Sequence, residues 1–160
     1  MVNTPGGVYG FDFKVESTVD TILMAIKSTH KTYPSTEVLY NHVNRVQRYI
    51  TTQGAQQTAE PRVNITKTDD GYQVMVALPV NKRLPDNGNI FYRKMVPGNF
   101  LVTQVQGGPT TIAYAFEMME LFIADKGIMI VAIPFQTLIT DRSKQADTLQ
   151  WKTKLSYPIL

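Results

Sequence analysis

The pattern of apolar and polar positions runs twice along the chain in the same order. Each half reads as a strand-like stretch, a proline with hydroxyl residues, a helix, a glycine and two further apolar stretches. The helix starts lie at residues 34–36 and 109–111, where hydroxyl side chains can accept hydrogen bonds from early backbone N–H groups. The order predicts two strand-helix-strand-strand repeats, about 14–81 and about 90–160, after a lead-in segment at 1–13.

The two predicted helices differ in how their apolar residues are arranged. The first carries one apolar stripe that faces a core, and Gly54 marks its end. Its stripe comprises Leu39, Val43, Val46 and Ile50. The second helix carries a comparable stripe, Ile112, Phe116, Met119 and Ile123, and has apolar residues on its other side as well. This predicts that the second helix is buried more deeply, or borders a cavity.

The strand predictions rest on period-two alternation and on turn residues. Residues 15–27 are rich in β-branched side chains and predict one strand, and Asp-Asp-Gly at 69–71 predicts a hairpin. The polar stretch 81–89 predicts the connection between the repeats, and the apolar run 128–139 predicts an interior strand. Residues 149–157 alternate so that Leu149 and the single tryptophan face inward and the lysines face water.

The resulting fold class is α+β, with an antiparallel sheet and two helices. Two such repeats place their sheets side by side about a pseudo-two-fold axis, and a central cleft is expected at the seam between them. The hydrophobic fraction of 43% and the charged fraction of 18% are ordinary for a globular chain, and no apolar run is long enough to span a membrane. With 0 Cys there is neither a disulfide nor a thiolate site, which fits a cytoplasmic protein.

Charge and motifs argue against several function classes. The net charge is +3, but the basic residues are scattered, so direct nucleic-acid binding is not predicted. His30 and His42 lack metal-ligand spacing and are expected to be one residue near a loop and one on a helix surface. The paired acids Glu117 and Glu120 suit the polar edge of a helix better than acid–base catalysis. No catalytic site, metal or cofactor is therefore predicted.

One polar residue stands out in the most apolar part of the chain. Gln136 lies in the predicted interior strand, where its amide needs a hydrogen-bonding partner or a wet cavity. Methionine and aromatic residues are concentrated in the same half of the chain, and such side chains line adaptable pockets. These features favour a small-molecule pocket, although each apolar residue alone is more often part of a core.

Four short motifs lie in order along the chain: Val-Pro-Gly-Asn-Phe at 96–100, Gln-Gly-Gly-Pro at 106–109, and the runs 133–141 and 151–159. Together they resemble the GyrI-like small-molecule-binding domain, also called the AraC-type effector-binding domain, and the first half of the chain is similar to the first repeat of the family. The resemblance implies paired strand-helix-strand-strand units around a cleft. It also implies one of three roles: a drug or metabolite sensor fused to a DNA-binding domain, a stand-alone ligand binder, or a hydrolase.

The resemblance also implies roles for individual residues. Many members have a Glu at the position of Gln136, an aromatic residue facing the cleft at the position of Trp151, and a cleft-bordering residue at Ile112. An amide carries no charge, so Gln136 argues against cationic ligands and against hydrolase activity. The predicted ligand-binding residues are Leu39, Val43, Ile112, Phe116, Met119, Gln136, Leu138 and Trp151.

The function predicted from the sequence is binding or sensing of a small hydrophobic molecule in an apolar and aromatic cleft, with multidrug binding as its extended form. The chain would serve as the effector-binding part of a transcription regulator, with a fused or partner DNA-binding domain, or as a stand-alone binder. Two alternatives stay open: a hydrolase of the cyclopropane-hydrolase branch, with Glu117 or Glu120 as the acid, and an interaction module that inhibits a partner protein. The motifs leave the oligomeric state open.

Overall fold

The computed structural model describes residues 10–19, 21–95 and 97–160. They form two compact units: the first-helix unit, residues 21–95, and the second-helix unit, residues 10–19 together with 97–160. In chain order the elements are β1 (Lys14–Thr18), β2 (Thr21–His30), α1 (Thr36–Thr52), β3 (Arg62–Thr68), β4 (Gly71–Pro79), β5 (Ile90–Met95), β6 (Gly98–Gln106), α2 (Pro109–Lys126), β7 (Phe135–Leu138), a short 3-10 helix (Thr148–Gln150) and β8 (Lys152–Ile159).

Each unit consists of one long helix and four antiparallel strands. The strand order is β3-β4-β2-β5 in the first-helix unit and β1-β6-β8-β7 in the second-helix unit. The predicted duplication is confirmed, because β2-α1-β3-β4 and β6-α2-β7-β8 follow the same order along the chain. The fold class is α+β, as predicted.

The strand that precedes each repeat pairs with the other repeat. β1 pairs with β6, with Lys14 opposite Val102, and β5 pairs with β2, with Ile90 opposite Ile26. The prediction of a single strand over residues 15–27 is therefore wrong, since β1 and β2 belong to different units. The stretch 81–89 lies inside the first-helix unit, between β4 and β5, and does not connect the units.

Helix α1 follows its sequence signals closely. The Ser35 side chain accepts a hydrogen bond from the Val38 backbone N–H over 3.2 Å, which satisfies one N–H of the first turn. Gly54, at a φ of 70°, follows the end of the helix. The predicted stripe is confirmed, because all four of its residues are buried where the helix packs on β2 and β4.

Helix α2 begins after Gly108 and ends before Gly127, and it is buried on one side only. A Cβ at Gly107 would lie 2.7 Å from the Thr111 hydroxyl oxygen, so the strand-to-helix turn requires glycine. Tyr114 and Leu121 are 53% and 48% exposed, so the prediction of an apolar second face in the interior is wrong. The helix packs on the sheet through its other face. No helix in the described ranges is long and apolar enough to cross a membrane.

The apolar run 128–139 is mostly not a strand. Only Phe135–Leu138 pairs as a strand, and the four residues Met129, Ile130, Val131 and Ile133 are exposed. A run without alternation does not specify which backbone it adopts, and Pro134 contributes no N–H to a ladder. The prediction of an interior strand over the whole run is therefore wrong, although it holds for the part that contains Gln136.

The last strand begins later than its alternation predicts. Leu149 lies in the 3-10 helix and is exposed, because the Asp147 carboxylate accepts a hydrogen bond from its backbone N–H over 3.0 Å and holds the turn. The inward placement of Leu149 is therefore wrong. Trp151 is buried, and Lys152 is exposed, as the alternation predicts.

Candidate functional site

The eight predicted ligand contacts lie on both units. All are buried except Phe116, which is half-buried. Leu39 and Val43 lie on α1 of the first-helix unit. The other six belong to the second-helix unit: Ile112, Phe116 and Met119 on α2, Gln136 and Leu138 on β7, and Trp151 directly after the 3-10 helix. Their role as ligand contacts stays a prediction, and their positions show which of them can act together.

Six of these residues belong to the second-helix unit, and strand pairing shows which face of its sheet Gln136 and Leu138 occupy. Gln136 lies opposite Leu155, and Leu138 lies opposite Thr153. Directly opposite residues of an antiparallel pair point to the same face. Leu155 belongs to the apolar core that contains Ile112 and other α2 residues. Gln136 and Leu138 therefore face the side of the sheet that α2 covers.

The Gln136 amide has a partner that the sequence analysis missed. The Arg142 Nη2 atom donates to the Gln136 Oε1 over 3.3 Å and to the Thr153 hydroxyl oxygen over 2.8 Å. All three side chains are buried, and Arg142 is only 8% exposed. No sequence signal marks Arg142, because it stands in a polar connection and resembles the other scattered basic residues.

Trp151 completes this group. The guanidinium carbon of Arg142 lies 4.5 Å from the centre of the Trp151 ring, within the range of a cation–π interaction. The indole Nε1 donates to the Gln145 carbonyl over 2.9 Å, which fixes the orientation of the ring. Gln136, Arg142, Thr153 and Trp151 are named the Arg142 cluster below. The buried position of Trp151 is confirmed, and its contact with a ligand stays a prediction.

The residues on either side of Arg142 are held by hydrogen bonds. Thr140 exchanges two hydrogen bonds with Lys152 at the start of β8, of 2.8 and 3.2 Å. The Asp141 carboxylate accepts from the Ser143 backbone N–H over 3.0 Å and from its hydroxyl over 2.5 Å. The loop is therefore organised before any ligand arrives, and it directs the guanidinium toward Trp151.

The two candidate acids of α2, Glu117 and Glu120, are exposed at the helix surface. Glu117 makes no described contact with the Arg142 cluster, whereas the Glu120 carboxylate accepts a hydrogen bond from the Tyr157 hydroxyl. Burial raises the pKa of Tyr157, and the hydrogen bond to Glu120 and the charge of Glu120 raise it further. The tyrosine is therefore a proton donor in this pair, and Glu120 is engaged as an acceptor.

The two histidines, near a loop at the end of β2 and on helix α1, share a hydrogen-bonding partner that the sequence did not indicate. The Ser28 hydroxyl lies 2.7 Å from His30 Nε2 and 2.8 Å from His42 Nε2, so one hydroxyl joins β2 to α1. Burial, the nearby His30 and then Arg45 lower the pKa of His42. This group is named the Ser28 cluster. Among the described residues, no group of three or more His, Cys, Asp or Glu side chains is placed to hold a metal ion.

A cavity of about 170 Å³ lies at the opposite face of the second-helix sheet. Lysines and acids line it, and Lys154 forms an ion pair with Glu16 over 2.5 Å. Its lining residues are Asp12, Lys14, Glu16, Val102, Thr103, Gln104 and Lys154. None of the predicted ligand contacts borders this cavity, and its charges are balanced within the protein.

Solved structures identify the fold. The C-terminal domain of EcmrR matches with a TM-score of 0.79 at 12% identity, over 94% of this chain and 98% of that chain. The EcmrR chain in an EcmrR–DNA complex matches at 0.78 and 13% identity over 93% of this chain, which spans 57% of that longer chain. No protein-family model and no curated protein matches the sequence.

Two further structures have the same fold at similarly low identity. SAV2435, solved with tetraphenylphosphonium bound, matches with a TM-score of 0.60 at 13% identity, over 93% of this chain and 94% of that chain. A protein of Listeria innocua described as a hydrolase matches at 0.67 and 11% identity, over 92% of this chain and 91% of that chain. The chain therefore has the GyrI-like fold that its sequence motifs predict.

Proposed function

Because the chain has the GyrI-like fold, we propose that it binds a small hydrophobic molecule beside Gln136 and Trp151 in the second-helix unit. The observation that carries the proposal is the Arg142 cluster, in which three polar side chains and the only tryptophan of the chain are buried together. A few convergent polar groups in apolar surroundings are typical of small-molecule sites. The half-buried Phe116, whose ring meets Tyr157 at 6.0 Å, and the neighbouring core residues supply the apolar part.

The physiological role that we propose is sensing or sequestration of such a compound in the cytoplasm. The likeness to SAV2435 with its bound tetraphenylphosphonium supports a ligand-binding role. The likeness to EcmrR, solved in complex with DNA, supports a place as the effector-binding part of a larger regulator. The scattered basic residues of this chain lead us to expect that DNA is bound by a separate domain.

The test is a thermal-unfolding screen of the purified protein against planar and aliphatic hydrophobic compounds of each charge. A true ligand stabilises the folded state by about 2.7 kcal/mol at a hundredfold excess over its Kd. It should also change the emission of Trp151, which is the single tryptophan and therefore reports on this place alone. If no compound stabilises the protein, the binding function is wrong.

A matched pair of variants locates the site. Gln136→Leu should weaken binding of a compound that hydrogen-bonds to the amide, while Gln104→Leu, an exposed position on β6, should leave binding unchanged. A compound that stabilises the protein equally in both variants and leaves Trp151 emission unchanged would place the site elsewhere in the chain.

A hydrolase is the second candidate. The likeness to the Listeria protein described as a hydrolase favours it, and so does Glu120, whose carboxylate is joined to a tyrosine of raised pKa. We expect no turnover of ester or strained-ring substrates, because an amide, which is a poor general acid or base, occupies position 136. Hydrolysis that disappears in Glu120→Gln but persists in Glu117→Gln would make the hydrolase the leading function.

A further inference from the structure

A charged side chain of the protein itself contacts two of the residues that are predicted to bind the ligand. The Arg142 guanidinium lies against the Trp151 ring and donates to the Gln136 amide oxygen. An aromatic ring for stacking and an oxygen that accepts a hydrogen bond are the groups that an organic cation would use. In this protein, Arg142 already makes both contacts.

The charge of Arg142 is permanent and its place is built into the fold. A guanidinium is not deprotonated in proteins, so the positive charge persists at every physiological pH. Thr153, which is 0% exposed, accepts from the same Nη2 atom over 2.8 Å, and the loop around Arg142 is held at Thr140 and Asp141. A ligand therefore meets a fixed cation beside the tryptophan.

We propose that Arg142 determines the ligand charge that this site accepts: it favours planar molecules with a carboxylate, binds neutral isosteres more weakly and rejects organic cations. The inference rests on the proposed binding function and names its ligand class. A second cation would either sit beside the guanidinium, where like charges repel strongly out of water, or displace it from Trp151 and from the oxygens of Gln136 and Thr153. A carboxylate gains from the same charge.

Arg142 also changes what an acid at position 136 would do. The Gln136 Oε1 lies 3.3 Å from the guanidinium Nη2, so the carboxylate of Gln136→Glu would form an ion pair with Arg142. That pair neutralises the new negative charge inside the protein. Gln136→Glu alone should therefore gain little affinity for cations, and the gain should come only when Arg142 is also replaced.

The experiment is a set of calorimetric titrations with three compounds of one shape and three charges: naphthalene-2-carboxylate, naphthalene-2-carboxamide and naphthalene-2-carboxamidinium. The proteins are the full chain, Arg142→Met, Arg142→Lys, Gln136→Glu and the double variant Gln136→Glu/Arg142→Met. Methionine keeps most of the length of the side chain without its charge. Lysine keeps the charge without the planar fork.

In the unmodified protein we expect the carboxylate to bind at least about tenfold more tightly than the amidinium, which corresponds to about 1.4 kcal/mol. Arg142→Met should abolish this preference, and Arg142→Lys should retain its direction. Gln136→Glu should lose carboxylate affinity with little gain for the amidinium. The double variant should bind the amidinium most tightly of the three compounds.

The outcomes separate this inference from the proposed function. Binding of the naphthalenes with an amidinium preference in the unmodified protein, or with the same charge order in Arg142→Met, would overturn the role of Arg142 and leave ligand binding intact. Failure of all three compounds to bind any of the proteins would overturn the inference, and the wider compound screen would then decide the binding function. If Arg142→Met does not fold, the charge order in the unmodified protein and in Gln136→Glu still decides.

Discussion

Each of the two units contains a hydrogen-bonded polar group, which is half-buried in the first-helix unit and buried in the second-helix unit, and the two groups differ in their chemistry. In the Ser28 cluster, two imidazoles share one hydroxyl, and the permanent charge of Arg45 acts on His42 without belonging to the hydrogen-bonded group. In the Arg142 cluster, a guanidinium with a permanent charge joins an amide, a hydroxyl and an indole. The repeats thus preserve the order of helix and strands while their interiors diverge in charge.

The two groups differ in how their hydrogen bonds depend on pH. A hydroxyl donates one hydrogen and accepts others, so Ser28 can donate to one neutral imidazole and accept from the other. This arrangement depends on the protonation state of His42, whose pKa is lowered in the folded protein, and therefore on pH. The Arg142 cluster has no group that titrates near neutrality, so its strength is constant while its charge acts on whatever comes close.

The largest expected effect comes from removing an acceptor of the buried guanidinium. Thr153→Val keeps the shape of the side chain but takes away the oxygen that lies 2.8 Å from Arg142 Nη2. We expect the free energy of unfolding to fall by about 1.5–3 kcal/mol, the usual range for a hydrogen bond to a charged group. Denaturant titrations at about pH 8 and about pH 5 should give the same loss, since neither partner titrates in that interval.

Thr137→Val is the control for this substitution. Thr137 lies on the other face of β7, opposite Lys154, and is half-buried. Its replacement should change the stability by no more than about 0.5 kcal/mol. An equal loss in both variants would mean that the hydroxyl of Thr153 contributes nothing specific to the cluster.

The second effect concerns the shared hydroxyl of the other unit. Ser28→Ala leaves both imidazoles without the oxygen that joins them. We therefore expect the free energy of unfolding to fall by about 0.5–1.5 kcal/mol at about pH 8. Ser17→Ala, whose hydroxyl bonds to Asn99 at an exposed position on β1, should be nearly silent in the same denaturant titration. A silent Ser28→Ala would show that water replaces the hydroxyl at no cost.

The smallest effect is the pH dependence that His42 contributes. Its pKa is lowered in the folded protein, so the unfolded chain binds more protons at pH values between the folded pKa and the unfolded value of about 6.5. The contribution of neutral His42 to the free energy of unfolding should therefore be fully present above that interval and should fall as the pH decreases through it. His42→Gln should flatten this part of the stability curve.

Arg45→Gln tests one cause of the lowered pKa of His42. Arg45 is the smallest of the three causes that lower the pKa of His42, so its removal should raise that pKa slightly in an NMR titration. The Thr153→Val protein should retain the unmodified pH dependence. A stability curve that is as steep in His42→Gln as in the unmodified protein would assign the dependence to other groups.

Much of the fold could be predicted because its signals are local. Ser35 and Gly54 mark the ends of α1, and Gly108 and Gly127 mark those of α2, since caps and left-handed glycines act over a few residues. The pairing of β1 with β6 and of β5 with β2 could not be predicted in this way. Strand partners are chosen across some eighty residues of chain, by pairing that leaves no mark in either strand alone.

The candidate site divides in the same way. Gln136 was identifiable because an amide in an apolar run needs a partner. Arg142 was not, because its burial results from a loop that folds back over Trp151, and that loop carries the polar composition of an exposed turn. The link between the two histidines was missed for a related reason, since Ser28 joins them only when β2 and α1 come together.

Strand β1, which precedes the first repeat but pairs with β6, covers one edge of the second-helix sheet. A shortened chain that begins at residue 21 would keep every element from β2 to β8 but would leave the backbone N–H and C=O groups of β6 unpaired along one side. It would also lose the buried ring of Phe13 from the core. Open edges of this kind recruit strands from other molecules. Such a chain should self-associate, and an added peptide with the sequence of residues 10–19 should suppress the association by filling the vacant place.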